Sequence, residues 1–269
     1  MMCFFPRKVP NKSTDPNASI SLIAPCGKCY ACLANKRSSW VFRMTEEFKN
    51  RPFSVFVTLT YDDEHCPQHV NKRDCQLFLK RFRKNSNLKL SYFLVSEYGS
   101  KFGRPHYHTI MFFHDHPTYN DVLHYVTVSW QLGNVRVDLC NSARINYVTK
   151  YILKQDKDDT FHLSSRNPAL GSSFLKSKAS EFAKDNGYVY FNGFKSSVPT
   201  YYKRKLNPDK VFSQDDYNKM VQDTEDRYGS YGQVYQNAIK MSQETNMSFD
   251  YCYPRLLHLL EKLKKYKSG

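Results

Sequence analysis

The sequence predicts an α+β fold in which a central antiparallel sheet of about five strands is flanked by helices. Two apolar runs, Tyr92–Val95 and Tyr107–Phe113, are separated by a segment that contains Gly99, Gly103 and Pro105. This pattern is typical of two strands joined by a loop. Segments with the apolar spacing of helices lie around this pair of runs, so both kinds of element are expected in one layered core.

The composition favours a nucleic acid as the partner and argues against a membrane. The formal charge is +15, the pI is near 9.4, and aromatic residues make up 15% of the chain. Cations neutralise phosphates, and aromatic rings stack on exposed bases. No apolar run approaches the roughly 20 residues that span a bilayer, and the start of the chain lacks the apolar core of a signal peptide. We therefore expect a chain that stays inside a cell.

We expect three regions along the 269 residues of the chain. Residues 1–50 hold an irregular arm, a cysteine cluster and a helix, and residues 51–155 hold the predicted sheet. Residues 156–269 carry weaker signals, with helices expected from Phe212 onward, and their role is unclear from the sequence.

The first half of the chain contains two predicted helices and a central strand. Met1–Ser21 is rich in Pro, Asn and Ser and lacks a periodic apolar pattern, so we expect an irregular arm. Apolar residues at helical spacing predict helices over Ala31–Asn50 and Asn71–Lys84. Between them, the β-branched and aromatic run Ser54–Tyr61 predicts a central strand.

Further elements are expected after the two apolar runs. Helices are predicted over Tyr119–Trp130 and Ala143–Lys154, and the alternating run Asn134–Leu139 predicts a half-buried strand between them. Beyond these, Asp156–Ser173 is polar and is expected to be a loop. Gly187–Phe194 predicts a short pair of aromatic strands.

Three cysteines with the spacing C-x-x-C-x-x-C follow the arm. An intracellular chain does not use them in a secreted disulfide framework, but thiolates at this spacing can wrap one zinc ion. A closed zinc site needs a fourth ligand; the alternative is a group of reduced thiols beside a helix start. The candidate ligands are Cys26, Cys29 and Cys32, with Cys3 preferred as the fourth and Cys66 or His65 as alternatives.

A paired imidazole site is predicted at the start of the second apolar run. Residues two apart on a strand share a face, so His106 and His108 project side by side while Tyr107 points to the other face. Glu97 ends the preceding run, and a loop that folds back would bring its carboxylate to the two rings. Two nitrogens and one oxygen suit manganese, zinc or, less readily, magnesium, with open positions for substrate. The alternative is an ordinary pair of surface histidines.

Other polar residues near strand ends are assigned structural roles. A second His-x-His pair, His114 and His116, falls where the apolar run ends and is interpreted as part of a turn. Asp62 and Asp63 end the central strand and are expected in a turn or cap, with metal binding as the alternative. The basic run Lys203–Lys205 follows two tyrosines and is either a DNA contact or an ordinary exposed run.

A helix with two tyrosines completes the catalytic prediction. Tyr147 and Tyr151 lie one turn apart on a single helix face, with Lys150 beside them. A phenol is a weak nucleophile near its ordinary pKa of about 10. It therefore needs a phosphate polarised by a metal and a cation that neutralises developing charge. Without the histidine pair, two amphipathic core tyrosines would be the better explanation.

Several of these motifs resemble a known family. The segments GRPHYH and YVTKYILK resemble motifs two and three of the HUH endonucleases that initiate rolling-circle replication. The resemblance is to the two-tyrosine branch of that family, which small single-stranded DNA phages use. Three longer segments together resemble the replication initiators of gokushovirus-type Microviridae; they are PCGKCYACLANKRSSW, FVTLTYDDEHCP and SEYGSKFGRPHYH. The resemblance covers Met1–Lys154 and says little about the C-terminal third.

The resemblance implies a role for each motif residue. Motif one of the family falls on Thr58–Tyr61, and the opening of the chain around Cys3 also resembles the family, which supports this residue as a zinc ligand. Residues 51–155 would form an HUH endonuclease core around an antiparallel sheet. The implied ligands of Mg²⁺ or Mn²⁺ are Glu97, His106 and His108, and the implied catalytic residues are the nucleophiles Tyr147 and Tyr151 with the basic Lys150.

The resemblance also implies an activity and its partners. Such an enzyme nicks viral origin DNA, single-stranded or extruded from a duplex, forms a 5′-phosphotyrosine link and religates single-stranded circles. The sequence contains no phosphate-binding loop of the form G-x-x-x-x-G-K-[ST]. Unwinding is therefore expected from a host helicase and the host replication machinery, in the host bacterial cytoplasm. Two alternatives are an HUH transposase or relaxase, and a non-catalytic zinc-stabilised nucleic-acid binding protein.

Overall fold

The structure is a computed structural model that describes residues 7–10, 21–28, 30–99, 102–152, 159–175, 188–191, 194–206, 236–237, 240 and 243–244. The chain divides into two compact units, one of residues 36–208 and the other of residues 1–35 together with 209–269. The helices expected from Phe212 onward lie outside the described residues, except at positions 236–237, 240 and 243–244.

A five-stranded antiparallel sheet forms the centre of the unit 36–208. The elements in chain order are β1 (Arg7–Pro10), β2 (Ser21–Ala24), α1 (Tyr30–Lys49), β3 (Phe53–Thr60), α2 (Lys72–Ser86), β4 (Leu90–Tyr98), β5 (Pro105–Phe113), α3 (Tyr119–Trp130), β6 (Val135–Leu139), α4 (Ser142–Lys150), β7 (His162–Ser164), β8 (Tyr188–Phe191), β9 (Phe194–Ser197) and α5 (Thr200–Leu206). The strand order in the sheet is β6-β3-β5-β4-β7. The predicted α+β class is confirmed.

Helices cover both faces of this sheet, which explains why β5 is apolar along most of its length. On one face, Phe78 and Phe82 of α2 and Trp130 of α3 are fully buried in a core with β3 and β5. On the other face, Met44 of α1 and Val148 of α4 pack in a second core with β4 and β5. The site described below lies on this second face.

Local capping chemistry sets the helix starts. Asn71 accepts a hydrogen bond from the backbone N–H of Arg73 and begins α2, and Asn141 begins α4 in the same way. Thr118 and Asp121 form a capping box at the start of α3. At its other end α4 stops at Lys150, earlier than predicted, with Tyr151 as the C-cap residue in a right-handed helical conformation.

Two sequence predictions are wrong. His162–Ser164, inside the predicted loop, forms the edge strand β7, which pairs with Phe93–Val95 of β4. A strand of three residues is too short to show a period of two, and it forms because the edge of β4 offers unpaired backbone groups. Likewise, Arg7–Pro10 in the predicted irregular arm pairs antiparallel with β2, again over a run too short to show periodicity.

The other expectations for short elements agree with the structure. An antiparallel strand pair forms as predicted, but its second strand lies later than the predicted range, because β9 runs over Phe194–Ser197. Gly133 follows α3 with φ +143°, and an added Cβ there would lie 2.3 Å from the backbone nitrogen of Asp62, so only glycine fits. In the part of the chain that the structure describes, no helix is long and apolar enough to cross a membrane.

Candidate active site

The register of β4 and β5 brings the three predicted metal ligands together. Glu97 and His106 are direct cross-strand partners, and His108 faces Val95 two positions away. Partners in an antiparallel pair project to the same face of the sheet, so all three side chains lie on the face covered by α1 and α4. The hairpin closes through the backbone N–H of Gly99, which donates to the carbonyl of Arg104 at 2.9 Å.

The ligand atoms form a tight cluster. The Oε2 atom of Glu97 lies 3.4 Å from Nε2 of His106 and 2.9 Å from Nε2 of His108. The side chain of His108 is 7% exposed, against 17% for His106 and 18% for Glu97. One ligand atom from each residue lies within 4.8 Å of the others, a spacing that one cation can bridge. The cluster is therefore closed on the His108 side and reached from solvent past His106 and Glu97.

Both histidines are oriented through their second ring nitrogen. Nδ1 of His106 lies 3.2 Å from the carbonyl oxygen of Arg104, which can only accept, so this nitrogen carries a proton. Nδ1 of His108 lies 3.1 Å from the hydroxyl of Thr58 on β3. These bonds leave Nε2 of each ring to face Glu97, which is the arrangement that fixes metal-ligating histidines.

The donor atoms fit a divalent cation. Oε2 of Glu97 and Nε2 of His108 are buried and lack a hydrogen-bond partner among the described residues, although they face each other. Buried polar atoms are normally satisfied, so two such atoms aimed at one point indicate a place for a cation. Two imidazole nitrogens and one carboxylate oxygen suit a divalent ion with open positions, as the sequence predicts.

The electrostatics of the cluster keep Glu97 ionised. Burial alone would raise the pKa of Glu97, but the adjacent side chains of His106, His108 and Tyr151 lower it well below its ordinary value. For His106, burial opposes the charged form, and the bonds to Glu97 and to the Arg104 carbonyl outweigh it and raise the pKa. A proton and a metal ion therefore compete for His106.

Helix α4 places two phenols against this cluster. The hydroxyl of Tyr151 donates to the hydroxyl of Tyr147 at 2.6 Å. The ring of Tyr151 stacks on His108 with centroids 5.8 Å apart, and the ring of Tyr147 meets the same imidazole edge-on at 5.4 Å. Burial raises the pKa of Tyr151, and the adjacent Glu97 carboxylate and Tyr147 hydroxyl raise it further. Both hydroxyls thus lie beside the candidate metal ligands.

The second core holds α4 in this position. Ile145, Val148 and Ile152 are buried in it, and Thr149 accepts a hydrogen bond from Nε of Arg37 at 3.4 Å. Lys150 lies on the last turn of α4 and is exposed. The helix therefore keeps its buried face on the sheet while the tyrosines reach the cluster.

Known proteins with similar sequences share one description. Residues 54–156 match the family Replication-associated protein ORF2/gene-2 protein. Replication-associated protein VP4 of Bdellovibrio phage phiMH2K is 30% identical in an alignment 229 residues long that covers 72% of this chain and 72% of that protein. The chain belongs to this family of phage replication-associated proteins.

Two more members of the family are similar over smaller shares of their length. Replication-associated protein ORF4 of Chlamydia phage 1 is 28% identical over 73% of this chain and 57% of its own length. Replication-associated protein ORF2 of Spiroplasma virus 4 is 35% identical over 38% of this chain and 34% of its own. A structural match was found with the crystal structure of the hypothetical protein ORF119 from Sulfolobus islandicus rod-shaped virus 1. The match covers 44% of this chain and 93% of that chain, with 19% sequence identity. Its TM-score of 0.30 is too low to carry an argument.

The acidic residues after β3 have structural roles in this replication-associated protein. Asp62 accepts a hydrogen bond from the backbone N–H of His65 at 2.8 Å, as expected in a turn. Asp63 pairs with the guanidinium of Arg104, and the same guanidinium donates to the carbonyl of Tyr61 at 3.0 Å. These contacts tie the β3–α2 loop to the hairpin that carries His106.

Two further groups of predicted site residues are described only in part. Cys26 and Cys32 have their sulfur atoms 3.9 Å apart, whereas Cys3 and Cys29 lie outside the described residues, so the zinc site stays a prediction. In the basic segment, Tyr202 is fully buried and donates to the carbonyl of Gly171. That tyrosine is therefore a core residue and does not contact DNA.

Sequence reasoning missed the groups that orient the ligands. The carbonyl of Arg104 and the ring of Phe56, which stacks on His108 at 5.3 Å, carry no sequence signal for these roles. Thr58 lies in the family motif, but its contact with His108 follows only from the pairing of β3 with β5.

Proposed function

We propose that this chain initiates replication of a phage genome by nicking origin DNA through a tyrosine nucleophile. The observation that carries the proposal is a pair of phenols whose oxygens lie 2.6 Å apart and whose rings pack on the imidazole of His108 in the candidate metal-binding cluster. The names of the similar proteins support a role in replication, since each is called a replication-associated protein.

The proposed reaction is a transesterification at phosphorus. The phenol oxygen of Tyr147 or Tyr151 attacks the scissile phosphate, and the bond from phosphorus to the 3′ oxygen breaks as the bond to the tyrosine forms. The proton lost by the phenol ends on the 3′ oxygen, which leaves as a hydroxyl that can prime synthesis. A divalent cation, when bound, supplies positive charge that polarises the phosphate. Lys150 neutralises charge on the same phosphate.

The second tyrosine completes the cycle in this proposal. After one round of synthesis it attacks the regenerated origin, and the newly freed 3′ hydroxyl attacks the first phosphotyrosine and reseals a single-stranded circle. Because the two hydroxyls are in hydrogen-bond contact, both links form within one site. The DNA therefore stays bound to the protein between cutting and rejoining.

The same proposal sets the partners and the cofactor. Residues 51–155 act as the endonuclease core, with Mg²⁺ or Mn²⁺ held by Glu97, His106 and His108. The substrate is viral origin DNA, and a host helicase in the bacterial cytoplasm unwinds it. Zinc at the cysteine cluster would be structural.

The test is a covalent-adduct assay. The protein is incubated with Mn²⁺ and a labelled origin oligonucleotide and resolved on a denaturing gel, using Tyr147→Phe, Tyr151→Phe and the double variant. Tyr119→Phe is the matched control, because Tyr119 and Tyr147 are both 39% exposed. We expect a metal-dependent adduct that the double variant lacks and the control retains, while each single variant fails to rejoin strands. DNA binding in EDTA without any adduct would instead favour a non-catalytic binding protein.

A further inference from the structure

A groove of about 660 Å³ lies at the β7 edge of the sheet, bounded by α2, β4 and the loop after β7. The geometry points to this groove as a binding site for the single-stranded DNA that flanks the cleavage site. This inference rests on the proposed function, and it adds a second DNA contact that is separate from the catalytic cluster. The volume falls within the range of roughly 300–1,000 Å³ that is usual for sites of small ligands, so a nucleotide fits.

The charges that line the groove all have the sign that phosphate needs. Lys72, Arg83 and Arg166 line it, and no carboxylate of the described residues does. Lys72, Gln76 and Arg83 project from one face of α2, because spacings of four and seven residues return to nearly the same direction on a helix. All three helix residues are exposed, so their polar ends are accessible to a strand that follows the helix.

The groove also offers groups that bind bases. The guanidinium of Arg83 lies over the ring of Tyr92, 5.4 Å from its centroid, which holds a cation and an aromatic surface together. His162 contributes a second ring, whose pKa is lowered to about 4 by burial and, secondarily, by Lys36 and Lys72, so it is neutral near pH 7. Aromatic surfaces beside cations are the usual elements of sites for single-stranded nucleic acid.

The groove connects the catalytic face to the opposite face around the free edge of the sheet. His162 pairs with Val95 and shares its face, which is also the face of Glu97. Leu163 and Tyr92 project to the other face, into the layer of α2. Strand geometry puts the Cα of His162 within roughly 10 Å of the Cα of Glu97. A strand whose phosphate lies at the cluster therefore reaches the groove within a few nucleotides.

The first test compares two triple variants that remove the same charge. The groove variant carries Lys72→Gln, Arg83→Gln and Arg166→Gln; the control carries Lys80→Gln, Lys84→Gln and Lys89→Gln, which are exposed and do not line the groove. Binding of a fluorescent polythymidine oligonucleotide is measured by anisotropy in EDTA at several salt concentrations. We expect the groove variant to bind at least ~10-fold more weakly than the control, with a salt slope smaller by about 2 for three lost phosphate contacts. Equal weakening of both variants would overturn the inference.

The second test separates this site from the catalytic proposal. Adduct formation with Mn²⁺ is compared between a short oligonucleotide that covers only the cleaved junction and one extended on both sides. The groove variant should form adduct with the short substrate at the wild-type rate and lose its preference for the extended one. If the variant keeps that preference, the groove does not bind the flanking strand. If the wild-type protein forms no adduct at all, the proposed nicking fails, and the anisotropy comparison still decides the groove.

Discussion

Replacing Thr58 with valine isolates the contact that orients His108. The threonine hydroxyl lies 3.1 Å from Nδ1 of His108, and the valine side chain keeps the β-branched shape without the oxygen. Nothing else in the ligand set changes, so the imidazole loses only the bond at Nδ1 that fixes the direction of Nε2. We expect weaker metal binding with the fold intact.

The magnitude follows from the single hydrogen bond that is removed. A typical intramolecular hydrogen bond contributes about 0.5–1.5 kcal/mol to stability. Loss of a group that orients a metal ligand commonly lowers metal affinity ~10–100-fold, and a factor of ten corresponds to about 1.4 kcal/mol. Because Phe56 and Tyr151 also stack on His108, we expect a loss near ~10-fold, the lower end of that range.

The assay is titration calorimetry with Mn²⁺ on the wild type, Thr58→Val and the control Thr60→Val. Thr60 lies on the same strand directly opposite His106, but its hydroxyl donates to the carbonyl of Asn134 at 3.1 Å and not to a ligand nitrogen. Both variants should lose similar unfolding free energy, about 1 kcal/mol in urea, but only Thr58→Val should bind Mn²⁺ more weakly. Equal Mn²⁺ affinity in the two variants would refute the orienting role of Thr58 and leave ring stacking as what positions His108.

Three further predictions concern pH, backbone geometry and charge. In metal-free protein, the raised pKa of His106 stabilises the fold fully at pH values below the ordinary histidine pKa of about 6.5. This stabilisation is lost as the pH rises through the raised pKa of His106. Melting temperatures in EDTA should fall over that range while Mn²⁺ affinity rises, and a flat profile would contradict the pairing with Glu97. Gly133→Ala should lower the free energy of unfolding in urea by about 2–4 kcal/mol, because the added Cβ would meet backbone atoms. The control Gly103→Ala places its Cβ in open space and should lower it by about 1 kcal/mol. Equal losses would show that the loop around Gly133 relaxes. Lys150→Gln should slow adduct formation ~10–100-fold without changing Mn²⁺ affinity, and an unchanged rate would remove this residue from the mechanism.

The long strands were predictable because their patterns are local. Tyr107–Phe113 is apolar except at His108 and Thr109 because β5 is covered on both faces, and the run shows this without knowledge of its neighbours. β7 shows the limit of that reasoning. Its three residues become a strand only because β4 offers an unpaired edge, and an edge is a property of the assembled sheet.

The ligand set was predictable for the same reason, whereas its supporting contacts were not. His106 and His108 share a face by the period of a strand, and a closed hairpin puts Glu97 opposite them. The contacts of Thr58 and Phe56 with His108 depend on how β3 registers against β5, which pairs residues about 50 positions apart in sequence. No local pattern encodes such a register.

The two halves of the candidate site are positioned by different forces. The candidate metal ligands depend on the hydrogen-bond ladder between β4 and β5, where a slip of one residue would turn both imidazoles into the opposite core. The tyrosines depend on apolar packing, since α4 is held to the sheet by the burial of Ile145 and Val148. The two-residue period of a strand predicts that the two histidines share a face, and the 3.6-residue period of a helix predicts that the two tyrosines do. The 2.6 Å contact between phenols beside His108 arises only where helix and sheet meet, so packing of the second core sets the distance from the proposed nucleophiles to the candidate metal ligand His108.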